Sequence, residues 1–222
     1  MIVAKKVGLS YPDGTEALKI FDFHIDKGDL VFITGPSGSG KTSLLKLILG
    51  MEFPTHGSFE VLGESIQSDN SEKIQMIRRS MGPVFQEFRL LEGRTVLENV
   101  MLGMRFLDLP LHTIKNYAIE SIERVGLGHK LKHTVDRLSW GECQRVSIAR
   151  AVARKPVLII ADEPTGNLDK ENAINILELL TSFTDTDTTV IITTHATHLI
   201  EDFHNGVFIK MNAGDMQIER RI

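Results

Sequence analysis

Eight residues early in the chain, Gly35-Pro36-Ser37-Gly38-Ser39-Gly40-Lys41-Thr42, have the composition of a phosphate cradle. Glycines let successive backbone N–H groups turn inward toward an anion, and a helix that starts directly after them adds free amides and a positive dipole end. Lys41 supplies a mobile charge, Thr42 is placed to offer its hydroxyl to Mg²⁺ between two phosphates, and Ser43 continues the same turn. Far downstream, the apolar run 157–161 stops at Asp162-Glu163. One carboxylate suits a metal, directly or through water, and its neighbour suits polarising an attacking water. Together the two sets have the chemistry for Mg²⁺-dependent hydrolysis of ATP.

Such residues need strand ends to hold them. Alternating or β-branched runs predict strands at 2–7, 17–25 and 30–34, separated by Pro12-Asp13-Gly14 and Lys27-Gly28-Asp29. The third run stops at Gly35, and leucine-rich residues 41–50 predict a helix, so the cradle lies between strand and helix. Further expectations are a strand at 58–62, a helix at 71–79 and extended chain at 82–85. Residues 95–125 read as helical, broken at Pro110. Helix, strand, helix and strand then follow at 140–153, 157–161, 171–183 and 189–193. The expected fold is α/β, a phosphate-loop NTPase with a mixed sheet and an N-terminal antiparallel β part. A single domain over 1–222 carries a helical lobe inserted at about 87–140. Ligands of open α/β sheets gather beyond the carboxyl ends of the strands, so both acids are expected beside the phosphate loop.

Composition narrows the partners. The chain has 222 residues and a net charge of -4, which offers nucleic acid or anionic lipid no bulk attraction. One cysteine, Cys143, excludes an intrachain disulfide and fits a reducing compartment. The N-terminus lacks the pattern of a signal peptide, and no apolar run approaches the ~20 residues of a spanning helix. The chain is therefore expected in the cytoplasm, reaching a membrane only through a partner. His195 and His198 lie three apart, but no third metal ligand accompanies them.

The order of these motifs resembles the ATP-binding subunits of ABC systems across essentially the whole chain. That resemblance implies that Tyr11 stacks on adenine, although a plain strand-edge tyrosine fits equally. It implies that Gln86 links Mg²⁺ and the attacking water to a membrane partner, and that Thr42 and Asp162 hold the metal. Glu163 would be the base and His195 the switch that touches the γ-phosphate. Leu138-Ser139-Trp140-Gly141-Glu142 falls at the family's signature loop, whose Ser139, Gly141 and Glu142 would meet ATP bound by a second copy. Gly166-Asn167-Leu168-Asp169 resembles the loop that crosses the dimer seam. The active form implied is a homodimer with ATP at the interface. One departure stands out: Trp140 replaces a glycine, so the indole must turn away from the nucleotide or alter the seam.

Residues 161–169 resemble the branch that serves lipoprotein release, macrolide efflux and bacterial cell division. Residues 84–91 and 94–100 are most similar to the cell-division ATPases, whose membrane partner is FtsX and whose output is control of peptidoglycan hydrolysis. The implied position is peripheral, on the inner face of the bacterial cell membrane. Phe85, Phe88, Leu90, Leu91, Met101 and Phe106 are among more apolar residues than a thin lobe can bury, which predicts a groove near Gln86 for a partner's coupling helix. The ATPase of a lipoprotein-release or export transporter and an ATP-dependent scaffold with weak hydrolysis stay open as alternatives. A DNA or ribosome clamp does not fit, because the chain has neither heptads nor a second cassette.

Overall fold

The computed structural model describes residues 1–221. In chain order the elements are β1 (Ile2–Ser10), β2 (Glu16–Ile25), β3 (Leu30–Thr34), α1 (Lys41–Ile48), β4 (His56–Val61), β5 (Glu64–Ser65), α2 (Ser71–Arg79) and β6 (Met81–Val84). They continue with α3 (Val96–Leu102), α4 (Leu111–Arg124), α5 (Trp140–Val152), β7 (Leu158–Ala161), α6 (Lys170–Thr181), β8 (Thr189–Thr194), β9 (Gly206–Asn212) and β10 (Asp215–Arg221). Two compact units result: Met1–Arg78 with the segment from Thr184 onward, and Arg79–Phe183. No described helix is long and apolar enough to cross a membrane.

The first unit holds two sheets. One is antiparallel, in the order β2-β1-β4-β5, and β2 buries alternate residues as a half-covered strand does. Phe23 joins its two neighbours there, stacked on Phe21 and edge-on to Phe59. In the other, β3 runs parallel to both β8 and β9, and β10 pairs antiparallel with β9. Every residue of β8 is buried, which is why Val190-Ile191-Ile192 reads as a continuous apolar run without alternation. Phe32 packs between Phe203 and Phe208 at centroid distances of 5.0 and 5.5 Å.

In the second unit β6 runs parallel to β7, pairing Val84 with Ala161. Helix α3 begins in a capping box: Thr95 Oγ1 accepts from the Glu98 amide, and the Glu98 carboxylate accepts from the Thr95 amide. That amide bond is the first cause of a Glu98 pKa below its usual range. Asn99, fully buried, accepts from the Leu91 amide at 2.7 Å and donates to the carbonyls of Leu91 and Thr95 at 3.1 Å each. One side chain thus pins the whole approach to the helix.

Two expectations change. The helix drawn up to Pro110 ends at Leu102, with Gly103 as its C-cap, and Pro110 instead caps α4. The stop coincides with a close approach of α5: a Cβ on Gly103 would stand 2.7 Å from the Arg150 carbonyl oxygen and 2.8 Å from Arg150 Cγ. The hairpin of β9 and β10 was not expected at all. It turns through Ala213 and Gly214 at φ of 47° and 79°, the two successive left-handed residues that a tight hairpin of this twist requires.

Because backbone stands in the way at Gly103, Gly103→Ala is expected to destabilise the chain by about 1–3 kcal/mol, as overpacking does. Denaturant titration checks this, with a lower midpoint at an unchanged slope.

Candidate functional site

The phosphate loop lies in the first unit, between the buried end of β3 and the start of α1. Gly35 has φ of 150° and Gly40 has φ of 103°, conformations open to glycine. Space matters as much as angle: a Cβ on Gly35 would meet the Met211 carbonyl oxygen at 2.3 Å, and one on Gly40 would meet the Ala17 oxygen at 2.6 Å. The β9–β10 hairpin therefore buttresses the loop, and the Gly214 amide donates to the Ser39 carbonyl at 3.1 Å. Helix α1 has a glycine N-cap with no side-chain cap and no acid in its first turn, so its leading amides stay available to an anion. Ser39 Oγ is buried with no hydrogen-bond partner among the described residues. Lys41 is 6% exposed, and its ammonium folds back to the carbonyls of Gly35 (2.8 Å) and Pro36 (3.1 Å). A loop with an orphaned hydroxyl, uncapped amides and a retracted ammonium fits a polyphosphate.

Tyr11 follows β1, and its hydroxyl shares a 3.1 Å hydrogen bond with Ser43 Oγ, one residue beyond Thr42. Its ring thereby lies beside the phosphate helix, with Lys46 Nζ 6.0 Å from the ring centroid. His195 is exposed directly after β8, and Thr194 Oγ1 accepts from the Ala196 amide to set the turn. Three or more His, Cys, Asp or Glu side chains are nowhere grouped for a metal among the described residues.

In the second unit the ends of two parallel strands carry Gln86 and the acidic pair. The Asp162 amide donates to the Val84 carbonyl at 2.9 Å. Glu163 takes a left-handed φ of 45°, a strained backbone for a residue with a Cβ and one that concentrates at functional sites. Gln86 is exposed two residues beyond β6, its Nε2 close to the backbone of Gly166.

The signature segment begins α5 with a second capping box. Ser139 Oγ accepts from the Glu142 amide at 3.3 Å and Glu142 Oε2 accepts from the Ser139 amide at 2.9 Å. Glu142 was expected on the nucleotide; its other oxygen accepts from Lys130 at 2.5 Å, so both carboxylate oxygens have partners within the chain and brace Ser139. The Lys130 hydrogen bond is the first cause of a Glu142 pKa below its usual range. Asp169 is likewise engaged as the N-cap of α6: Oδ1 accepts from the Asn172 amide and Oδ2 from its side chain. Ser139, Gly141, Asn167, Leu168 and Asn172 together line a polar cleft of about 470 Å³. The indole of Trp140 turns to Phe88 of its own chain, with ring centroids 4.6 Å apart. Lys130 and Asn172 escaped sequence reasoning, as did the pairing of Phe88 with Trp140, since nothing in local periodicity marks these contacts.

Depression of the Glu142 pKa means that its contribution to stability is full above its ordinary value of 4.5 and fades as pH falls through the lower folded value. Glu142→Gln is expected to lower stability by about 0.5–1 kcal/mol near neutrality. Thermal melts compared across pH should show that difference closing below the ordinary carboxylate range.

Comparison with known proteins identifies the family. The family model described as ABC transporter matches residues 18–166. The cell division ATP-binding protein FtsE of Escherichia coli K12 is 40% identical over 90% of each chain. FtsE of Haemophilus influenzae is 41% identical over 90% of this chain and 93% of its own. Among solved structures, a dimeric bacterial ABC transporter cassette, MJ0796, superposes with a TM-score of 0.87 at 33% identity, covering 99% of this chain and 98% of that one. The same cassette in a post-hydrolysis state with ADP and Pi gives 0.85 at 31% identity, with the same coverage. With a family model over most of its length and relatives along nine-tenths of it, this chain belongs to the ABC transporter family of ATP-binding cassettes.

Proposed function

We propose that the chain is the ATP-binding and ATP-hydrolysing subunit of an FtsE-type complex, working as a homodimer beside an FtsX-like integral membrane partner. The observation that carries the reading is the uncapped start of α1 behind a loop whose glycines are enforced by backbone contact. Such a loop suits the phosphates of a nucleotide. Its likeness to cassettes solved as dimers and with ADP and Pi supports both the dimer and the turnover.

Hydrolysis needs the phosphates held, their charge offset and a water activated. Residues Gly35 to Thr42 hold the phosphates, with Lys41 released from its own loop carbonyls as it meets the γ-phosphate. Tyr11 carries the base on its ring. Thr42, Asp162 and Gln86 would hold Mg²⁺, which offsets phosphate charge when bound. Glu163 accepts the proton of the attacking water, and its left-handed backbone supports the assignment because such strain clusters at active sites. Ser139, whose hydroxyl proton is not used by its cap, and the Gly141 amide serve ATP bound by the second copy. His195 contacts the γ-phosphate and senses its loss.

An apolar groove of about 410 Å³ supports the membrane side of the reading. Leu91, Met101, Leu102, Leu111 and Ile114 line it, with Arg94, Glu98 and Arg105 at its charged margin. Leu91 and Leu111 are exposed, as is Phe106 at 80%. An amphipathic helix of the partner fits there, and placement on the inner face of the membrane follows. Control of peptidoglycan hydrolysis is the output that this assignment carries.

Steady-state phosphate release tests the chemistry. Glu163→Gln is expected to lower turnover at least 100-fold, the scale of a lost general base, while Mg-ATP then traps a dimer on a sizing column. A variant that keeps its turnover, or a parent that does not bind ATP, defeats the proposal.

A further inference from the structure

Trp140 occupies the first helical position of α5, between the cap Ser139 and Gly141. The residue is 50% exposed, and its ring meets Phe88 edge-to-face, centroids 4.6 Å apart and planes at 63°. Phe88 lies two residues after Gln86. The same helix also holds the Phe88 backbone from its far end, where Arg150 donates to the Phe88 carbonyl at 2.5 Å and to the Arg89 carbonyl at 2.6 Å. Arg89 is left-handed, with φ of 50°, and its guanidinium lies 4.0 Å over the Phe85 ring. Residues 85–89 are therefore a knot tied to α5 twice, by backbone at Arg150 and by ring at Trp140.

The two ties differ in what they transmit. Arg150 is largely buried, and its planar fork grips two carbonyls, so that end is a fixed anchor. The Trp140 tie is a single aromatic contact at the N-terminal end of the helix, adjoining the two groups of the signature loop. Glycine at 140 would have no atoms to reach Phe88. The residue is half-exposed, so its packing is confined to the Phe88 side.

We propose that Trp140 is a positioning residue: through Phe88 it makes the orientation of the Ser139 hydroxyl and the Gly141 amide depend on the segment that carries Gln86. A helix seated in the groove that begins at Leu91 would be felt at the start of α5 through this contact. The inference rests on the reading of the chain as an ATPase that closes on a second copy.

Trp140 is the one tryptophan of the chain, so its emission reports the contact before any nucleotide is added. Phe88→Ala is expected to move that emission to longer wavelength, and Phe88→Leu, which keeps apolar volume without a ring, to move it part of the way. In a Glu163→Gln background, Phe88→Ala and Trp140→Gly should each raise the ATP concentration for half-dimerisation roughly two- to tenfold, the scale of one aromatic pair. The double variant should go no further than either single, because one contact is removed in all three. Trp140→Phe should restore most of the parent behaviour. Unchanged emission in Phe88→Ala, multiplied shifts in the double variant, or a Trp140→Gly protein that dimerises as readily as its parent overturns the inference alone. If the parent itself forms no ATP-dependent dimer, the ATPase reading falls and takes this inference with it.

Discussion

Close approach of backbone to backbone at the phosphate loop is the constraint around which the first unit is arranged. Carbonyl oxygens of Met211 and Ala17 stand where the Cβ atoms of Gly35 and Gly40 would be. This packing serves rigidity: loop amides aimed at one point lose their advantage over water if they can relax, and a loop pressed between a hairpin and a strand cannot. The buried, parallel β3 delivers the chain into the loop, α1 leads it out, and β2 and β9–β10 close the sides.

Helix starts do the corresponding work in the second unit. Three of its helices begin with a side-chain cap, at Thr95, Ser139 and Asp169. A cap costs little in sequence and fixes the first turn, which is where the signature segment must present its groups. Lys130 strengthens the second of these caps by holding Glu142, so a residue outside the motif determines how firmly Ser139 is placed. Arg150 and Gly103 do the same for the far end of α5, one gripping a neighbouring segment and the other making room.

Much of this is legible in the sequence, and the reasons are local. The strand ending at Thr34 is a short apolar run closed by glycine, and α1 and α2 show themselves by periodicity, the latter over the residues expected. The acidic pair stands out because a buried strand stops abruptly at it. What escapes is set by residues distant in sequence. Strand β10 leaves most of its side chains exposed, so it has no hydrophobic rhythm, and its turn is Ala213-Gly214 where Asn-Gly would have announced a hairpin. The early end of α3 follows from contact with α5, which no window of neighbouring residues contains. The direction of Trp140 depended on Phe88, and the sequence alone left two directions open.

The hairpin also constrains the order in which the molecule can be made. Its contacts with the phosphate region are extremely non-local: Thr34 Oγ1 donates to the Ile209 carbonyl, 175 residues further along. During synthesis the loop leaves the ribosome early, yet Met211 and Gly214, which hold Gly35 and Ser39 in place, do not exist until the second unit, Arg79–Phe183, has been translated. The second unit can therefore fold while the first is still open, and closing the first must bridge it, a slow step by the logic of contact order. A nascent chain thus holds its nucleotide motif for most of its translation without the backbone contacts that shape it.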